Sequence, residues 1–196
     1  MCSRFEVNVR PRDLASRFDI DDLPAGFTVG EVRPTDPALV IGAEGPLVLN
    51  WGLRVDWDKK PLINARAETI ADKPTFRPLL KNRCLVPANA YFEWRRNHSQ
   101  RLKNRIAPAN DGVMAFAGLH DGERFVIVTC APATDIAHIH NRMPVVLSEH
   151  GETIWRDSAR SYTDVAILLE PTVPGMLAWN EETPPPPDQP DLFSSL

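Results

Sequence analysis

The chain has 196 residues, 43% of them hydrophobic and 24% charged, which is enough to bury one core without disulfides or metals and excludes a disordered or fibrous class. No apolar run approaches the roughly 20 residues that cross a bilayer. Arg4, Glu6 and Arg10 interrupt any signal-peptide pattern, so the expectation is a cytoplasmic protein with no membrane partner. The net charge of −4 hides an asymmetry: residues 51–110 carry 13 Lys/Arg against 5 Asp/Glu, and residues 111–196 carry 4 against 13. A basic middle segment suits a phosphate-binding groove, and it equally suits a solvated surface with uneven charge.

Taken in chain order, Pro11 to Phe18 opens a short helix with proline in its first turn. Ala38–Ile41 and Leu47–Leu49 flank Gly42-Ala43-Glu44-Gly45, a hairpin signal. Further strands are predicted at Arg83–Pro87, Ala90–Arg95, Val113–Leu119, Phe125–Cys130 and Met143–Leu147. Ser148 to Asp157 reads as a helix capped by Ser148, weakened by Gly151. Strands dominate and helices are short. The expected fold is therefore α+β: one compact domain over residues 1–180, built around a curled, barrel-like, largely antiparallel sheet with short flanking helices. Residues 181–196 differ in character. Pro184 to Pro187 is an extended spacer within an acidic stretch, followed by the apolar pair Leu192-Phe193.

The three cysteines, Cys2, Cys84 and Cys130, are too few and too scattered for a disulfide framework and are expected as thiols. Cys84 and Cys130 sit in apolar runs and read as core residues. Cys2 follows the initiator Met1, so removal of Met1 leaves a cysteine with a free α-amine. With a reference pKa of about 7.7–8.0, a fraction of that amine is neutral and nucleophilic near pH 7. Amine and thiol on neighbouring carbons react together with an aldehyde. The amine forms an imine, and the thiol closes onto the same carbon as a five-membered thiazolidine. A cysteine that merely follows the start codon has no such role.

Three internal segments add polar chemistry. Asn64-Ala65-Arg66-Ala67-Glu68-Thr69 supplies Asn, Arg and Glu between apolar residues, suited to a phosphate and a base edge or simply to an exposed face. In Ala90-Tyr91-Phe92-Glu93-Trp94-Arg95, alternation turns Phe92 and Trp94 to one side and Tyr91, Glu93 and Arg95 to the other. Glu93 is then a carboxylate among aromatics, where desolvation raises its pKa toward general-acid use, or else an exposed strand glutamate paired with arginine. His138-Ile139-His140-Asn141-Arg142 offers His-x-His, which suits acid–base work beside Arg142, a structural histidine, or zinc. The Cys-x-x-Cys spacing of structural zinc is absent, and no metal or cofactor is expected.

Together these segments resemble the SRAP family, the SOS-response-associated or abasic-site-processing proteins. The shared elements are Met1-Cys2-x-Arg4-Phe5, Trp51-Gly52-Leu53, Asn64-Ala65-Arg66-x-Glu68-Thr69, Cys84-Leu85-Val86-Pro87, Tyr91-Phe92-Glu93-Trp94, Val128-Thr129 and His140-x-Arg142-Met143-Pro144. The resemblance implies covalent capture of abasic sites in single-stranded DNA by Cys2, close to the nucleoid. Asn64 would position the sugar or the Cys2 amine, Glu93 would transfer protons during imine formation and reversal, and His140 would assist sugar ring opening. Arg4, Arg66 and Arg142 would contact phosphates, with Trp51 and Thr129 as further DNA contacts. Removal of Met1 by the protein itself and lyase-like Schiff-base chemistry belong to the same implied repertoire. The chain departs from the family pattern at Ser3, where glycine is usual, at Asn141, where aspartate is usual, and across Phe27–Asp36, which lacks the usual Asn-x-Ala-Pro.

Three rivals stay open. An N-terminal-nucleophile amidohydrolase also begins Met-Cys, but normally continues Gly-Ile rather than Arg4-Phe5. A self-processing cysteine peptidase turns over amides, and a DNA-binding adaptor would carry Cys2 incidentally. At the other end, Gln189-Pro190-Asp191-Leu192-Phe193 resembles the short peptides by which bacterial repair proteins dock on the sliding clamp. Gln189 would bond at the rim, with Leu192 and Phe193 entering an apolar pocket.

Overall fold

The computed structural model describes residues 2–98 and 100–182. The tail positions Gln189, Leu192 and Phe193 lie outside the described residues. The hairpin signal forms β3 (Pro37–Gly42) and β4 (Gly45–Trp51), antiparallel and closed at Gly42↔Gly45. Strands β8 (Arg83–Ala88), β11 (Met114–His120) and β12 (Arg124–Cys130) follow the predicted apolar runs. The sheet order β12-β4-β3-β8-β11 is closed by pairing of β11 with β12, giving a five-stranded barrel that abolishes its own edges. All of these pairings are antiparallel except β12 with β4, and β12 also pairs in parallel with the short β7 (Asn64–Arg66).

A second sheet runs β15-β10-β9-β1-β2, with β1 at Phe5–Val7, β2 at Gly30–Val32, β9 at Ala90–Asn97, β10 at Gln100–Pro108 and β15 at Leu177–Glu181. β5 (Leu53–Val55) and β6 (Asp58–Leu62) form a separate hairpin, and β13 (Met143–Pro144) and β14 (Val146–Leu147) split the strand predicted at Met143–Leu147. Helix α1 covers Pro11–Arg17, and α2 covers Glu149–Arg156, with the Ser148 hydroxyl accepting from the Gly151 amide as the sequence predicted. Arg17 forks onto Glu152 at 2.6 and 3.1 Å and ties the two helices together. A third, shorter helix α3 (Tyr162–Val165) has Ser161 and Asp164 as a capping box.

Five aromatic residues knit the two sheets. Phe5 meets Trp51 edge-on at 5.0 Å and Phe116 at 6.2 Å, Tyr91 meets Phe116 at 6.0 Å, and Trp51 stacks over Phe125. All five are wholly buried, each contributing on the order of 2–3 kcal/mol through lost apolar surface. Since Phe5 lies three residues beyond Cys2, this cluster anchors the start of the chain against the barrel. Cys84 and Cys130 are core residues, as read from their apolar runs. Among the described residues no helix is long and apolar enough to cross a membrane.

Candidate active site

β1 delivers Cys2 to the seam between the sheets. Cys2 has no exposed surface, and its thiol donates to the Arg4 carbonyl at 3.4 Å. Burial, with the nearby Glu93 carboxylate adding to it, pushes the thiol pKa well up, so the sulfur is held as SH rather than thiolate. Asn64 reaches Cys2 from the barrel side: its Nδ2 donates to the Cys2 carbonyl at 2.8 Å, while its Oδ1 is buried with no hydrogen-bond partner among the described residues.

That placement of Asn64 depends on what lies beneath it. The Ile63 carbonyl accepts from the Trp51 indole at 2.9 Å and from the Ile127 amide at 3.1 Å, so the chain enters β7 with Asn64 fixed. Between Trp51 and this bend stands Gly52, at φ 116°. A Cβ there would lie 2.8 Å from Pro61, which explains glycine in Trp51-Gly52-Leu53.

Glu93 comes from β9, on the side of the strand that carries Tyr91, as alternation predicts. It is 3% exposed, and burial raises its pKa above the ordinary carboxylate value. His140 Nδ1 lies 3.8 Å from Glu93 Oε1. Burial lowers the His140 pKa. Both shifts favour the uncharged forms of the two groups. The Arg142 backbone serves both states of the ring, because Nδ1 lies 3.1 Å from the Arg142 amide, which donates to neutral imidazole, and 3.3 Å from the Arg142 carbonyl, which accepts from imidazolium. The loop carrying His140 is pinned by inward-facing Ala133, Ile136 and Ile139 and by the Gly175 amide on Asp135 at 2.7 Å. Cys2, Asn64, Glu93 and His140 thus converge from four separate segments.

The expected DNA contacts fall into two groups. Trp51 and Thr129, expected as further DNA contacts, are both wholly buried in the structure. Trp51 is spent on the aromatic cluster and the Ile63 carbonyl, and Thr129 on the β7–β12 seam, where its hydroxyl donates to the Ala65 carbonyl at 3.4 Å. The arginines are nearer the surface. Arg66 is exposed and makes no ion pair among the described residues. Arg4 is held by Glu31 at 3.2 Å. Arg142 forks onto Glu68 at 2.6 and 2.9 Å and also donates to the Thr129 carbonyl. The Arg142 fork lowers the Glu68 pKa.

A cleft of about 540 Å³ lies beside this site, lined by Ser3, Glu93, Trp94, Arg96, Arg101 and His140 among others. Sequence reasoning missed Arg96 and Arg101, because a charged strand end reads as ordinary surface. It also missed Tyr91 as a neighbour of Cys2; the Tyr91 hydroxyl is buried without a hydrogen-bond partner among the described residues. Trp57 is 69% exposed at the turn between β5 and β6, beside Lys59. Of the 13 Lys/Arg in the basic middle of the chain, three lie on this hairpin and five on the β9–β10 hairpin. No group of three or more His, Cys, Asp or Glu among the described residues is placed to hold a metal.

Residues 1–181 match the profile of the SOS response associated peptidase (SRAP) family. The chain belongs to the SRAP family. Among SRAP-related sequences, the abasic site processing protein YoaM of Bacillus subtilis is 36% identical over 190 residues, 84% of this chain and 82% of its own. The abasic site processing protein YoqW of the same organism is 34% identical, covering 87% of each chain. A solved structure of a Bacteroides thetaiotaomicron protein superposes with a TM-score of 0.77 at 25% identity, over 92% of this chain and 91% of that one. The fold is thus shared with that protein over nearly the whole of both chains.

Proposed function

We propose that this SRAP chain captures abasic sites in single-stranded DNA as a thiazolidine on Cys2, after Met1 has been removed. The observation that carries the reading is the convergence of Asn64 on Cys2, of Glu93 beside Cys2 and of His140 on Glu93, with Glu93 and His140 lining the cleft. The ring-opened sugar presents an aldehyde at C1′. The Cys2 amine adds to that carbon, and the resulting hydroxyl leaves as water once Glu93 supplies a proton. The thiol then adds to the C=N carbon, forming the S–C bond while its proton passes to nitrogen. One water is released overall. His140, neutral through burial, takes the hydroxyl proton as the sugar ring opens. Asn64 steadies Cys2 through its carbonyl, leaving Oδ1 for the amine or the sugar. Interruption at the imine permits lyase-like strand cleavage.

The buried, protonated thiol favours this order, amine first and sulfur second, over the amidohydrolase and peptidase rivals, which need sulfur as the first nucleophile. Arg4, Arg66 and Arg142 hold the flanking phosphates, with Arg4 and Arg142 exchanging a carboxylate for a phosphate oxygen. The Pro-rich end, residues 181–196, tethers a clamp-docking peptide at Gln189, Leu192 and Phe193. A peptide covering 188–196 is expected to bind a bacterial clamp, and its Leu192→Ala/Phe193→Ala version is expected not to.

The deciding experiment mixes the mature protein with single-stranded oligonucleotide, intact or bearing an abasic site, and resolves the products on a denaturing gel. A stable band with abasic DNA alone is expected, lost in Cys2→Ala, which retains only an imine that borohydride traps. An equally stable band from Cys2→Ala ends the thiazolidine reading.

A further inference from the structure

The β9–β10 hairpin carries five basic residues, and they divide sharply by environment. Arg95 is paired with Glu181 at 2.7 Å, Lys103 with Glu31 at 2.8 Å and Glu182 at 3.0 Å, and Arg105 with Glu6 at 2.7 Å. Arg96 and Arg101 make no ion pair among the described residues, and both line the cleft over Glu93. The register sets them directly opposite each other, Arg96↔Arg101. Like charges in that position oppose strand pairing. Both side chains are exposed, and an anion bound between them would convert the repulsion into attraction.

We propose that Arg96 and Arg101 form a phosphodiester-binding subsite for the strand flanking the captured nucleotide. This rests on reading the cleft as the DNA site, and it goes beyond the contacts assigned to Arg4, Arg66 and Arg142. Two planar guanidinium forks from opposing strands present several donors to a group with two free oxygens, a geometry that lysine does not supply. Arg101 lies 5.8 Å from the Trp94 ring centroid, which steadies it at the cleft wall. The cleft is large enough for a nucleotide linkage and opens directly beside Ser3 and Glu93. A phosphate held there therefore fixes where the neighbouring sugar falls relative to Glu93 and His140, which line the same cleft.

The test measures binding of an intact single-stranded oligonucleotide across a salt series for the wild type, Arg96→Gln, Arg101→Gln and the double variant, with thermal unfolding of each. Each lost phosphate contact is expected to reduce the slope of log affinity against log salt by about 0.7, and the double variant is expected to bind roughly tenfold more weakly at low salt. Thermal stability should hold or rise, since a like-charge pair has been removed, and this separates a binding role from a structural one. If the wild type fails to crosslink abasic DNA while these slopes still fall, the Cys2 reading fails and the subsite stands. An unchanged slope and affinity in the double variant, or no binding of the intact strand by the wild type, overturns the subsite.

Discussion

Asn64 Nδ2 donates to the carbonyl of Cys2 at 2.8 Å, across 62 positions of sequence. One side-chain amide therefore joins the barrel to the residue proposed as the nucleophile. Asn64→Ala removes that bond and the buried acceptor behind it. A net hydrogen bond is worth about 1 kcal/mol, so single-turnover crosslinking is expected to slow roughly fivefold, with a comparably small loss of stability. An unchanged rate would show that Cys2 is held without Asn64.

Glu93→Gln keeps the shape of the side chain and removes its proton. Both formation and reversal of the adduct are expected to slow by about 10²–10⁴-fold, the range for a lost general acid. Burial raises the folded-state pKa of Glu93 above its unfolded value, so its favourable contribution is complete below the unfolded pKa and is lost as pH rises through the folded one. Glu93→Gln should accordingly match the wild type in Tm under acid conditions and exceed it progressively above about pH 4.5. A Tm difference independent of pH contradicts the burial argument.

Trp51→Ala should act on stability and not on DNA contact. Truncating a fully buried tryptophan costs about 3–5 kcal/mol, measurable by urea unfolding. Trp51→Phe, which keeps most of the packing but forfeits the bond to the Ile63 carbonyl, should cost less and still slow crosslinking by loosening Asn64. A weaker dependence of binding on salt in Trp51→Phe, with unfolding unaffected, would restore Trp51 to the interface.

The Arg142–Glu68 fork sets carboxylate against phosphate for the same guanidinium. Glu68 is half exposed, and exposed pairs contribute roughly 0–1 kcal/mol, so Glu68→Gln should barely alter Tm. Its binding of single-stranded DNA at low salt should tighten severalfold as Arg142 is released. Weaker binding would mean that Glu68 is needed to aim Arg142 and that the two do not compete.

The barrel strands were legible because their apolar runs are long and bounded by turn residues, as at Arg83–Ala88 and Arg124–Cys130. β10 escaped notice although Leu102, Asn104 and Ile106 alternate inward, because Asn104 is polar yet wholly buried, its amide donating to the Leu102 carbonyl. β1, β2 and β7, three residues each, are held by their partners and carry no periodicity of their own. In the site, Glu93 was readable from alternation along one strand. Trp51 was expected as a DNA contact, and its burial, a matter of long-range packing, was not legible: Phe5 and Phe125 arrive from distant segments.

The burial of Cys2 also sets a schedule. Cys2 has no exposed surface in the folded chain, and the barrel behind it closes only when β12, ending at Cys130, joins β4 and β11. At about 5–20 residues per second, synthesis leaves the N-terminus accessible for on the order of 10 s before that strand exists. On the proposed chemistry, an aminopeptidase that removes Met1 within that interval meets a chain whose barrel has not yet closed behind Cys2.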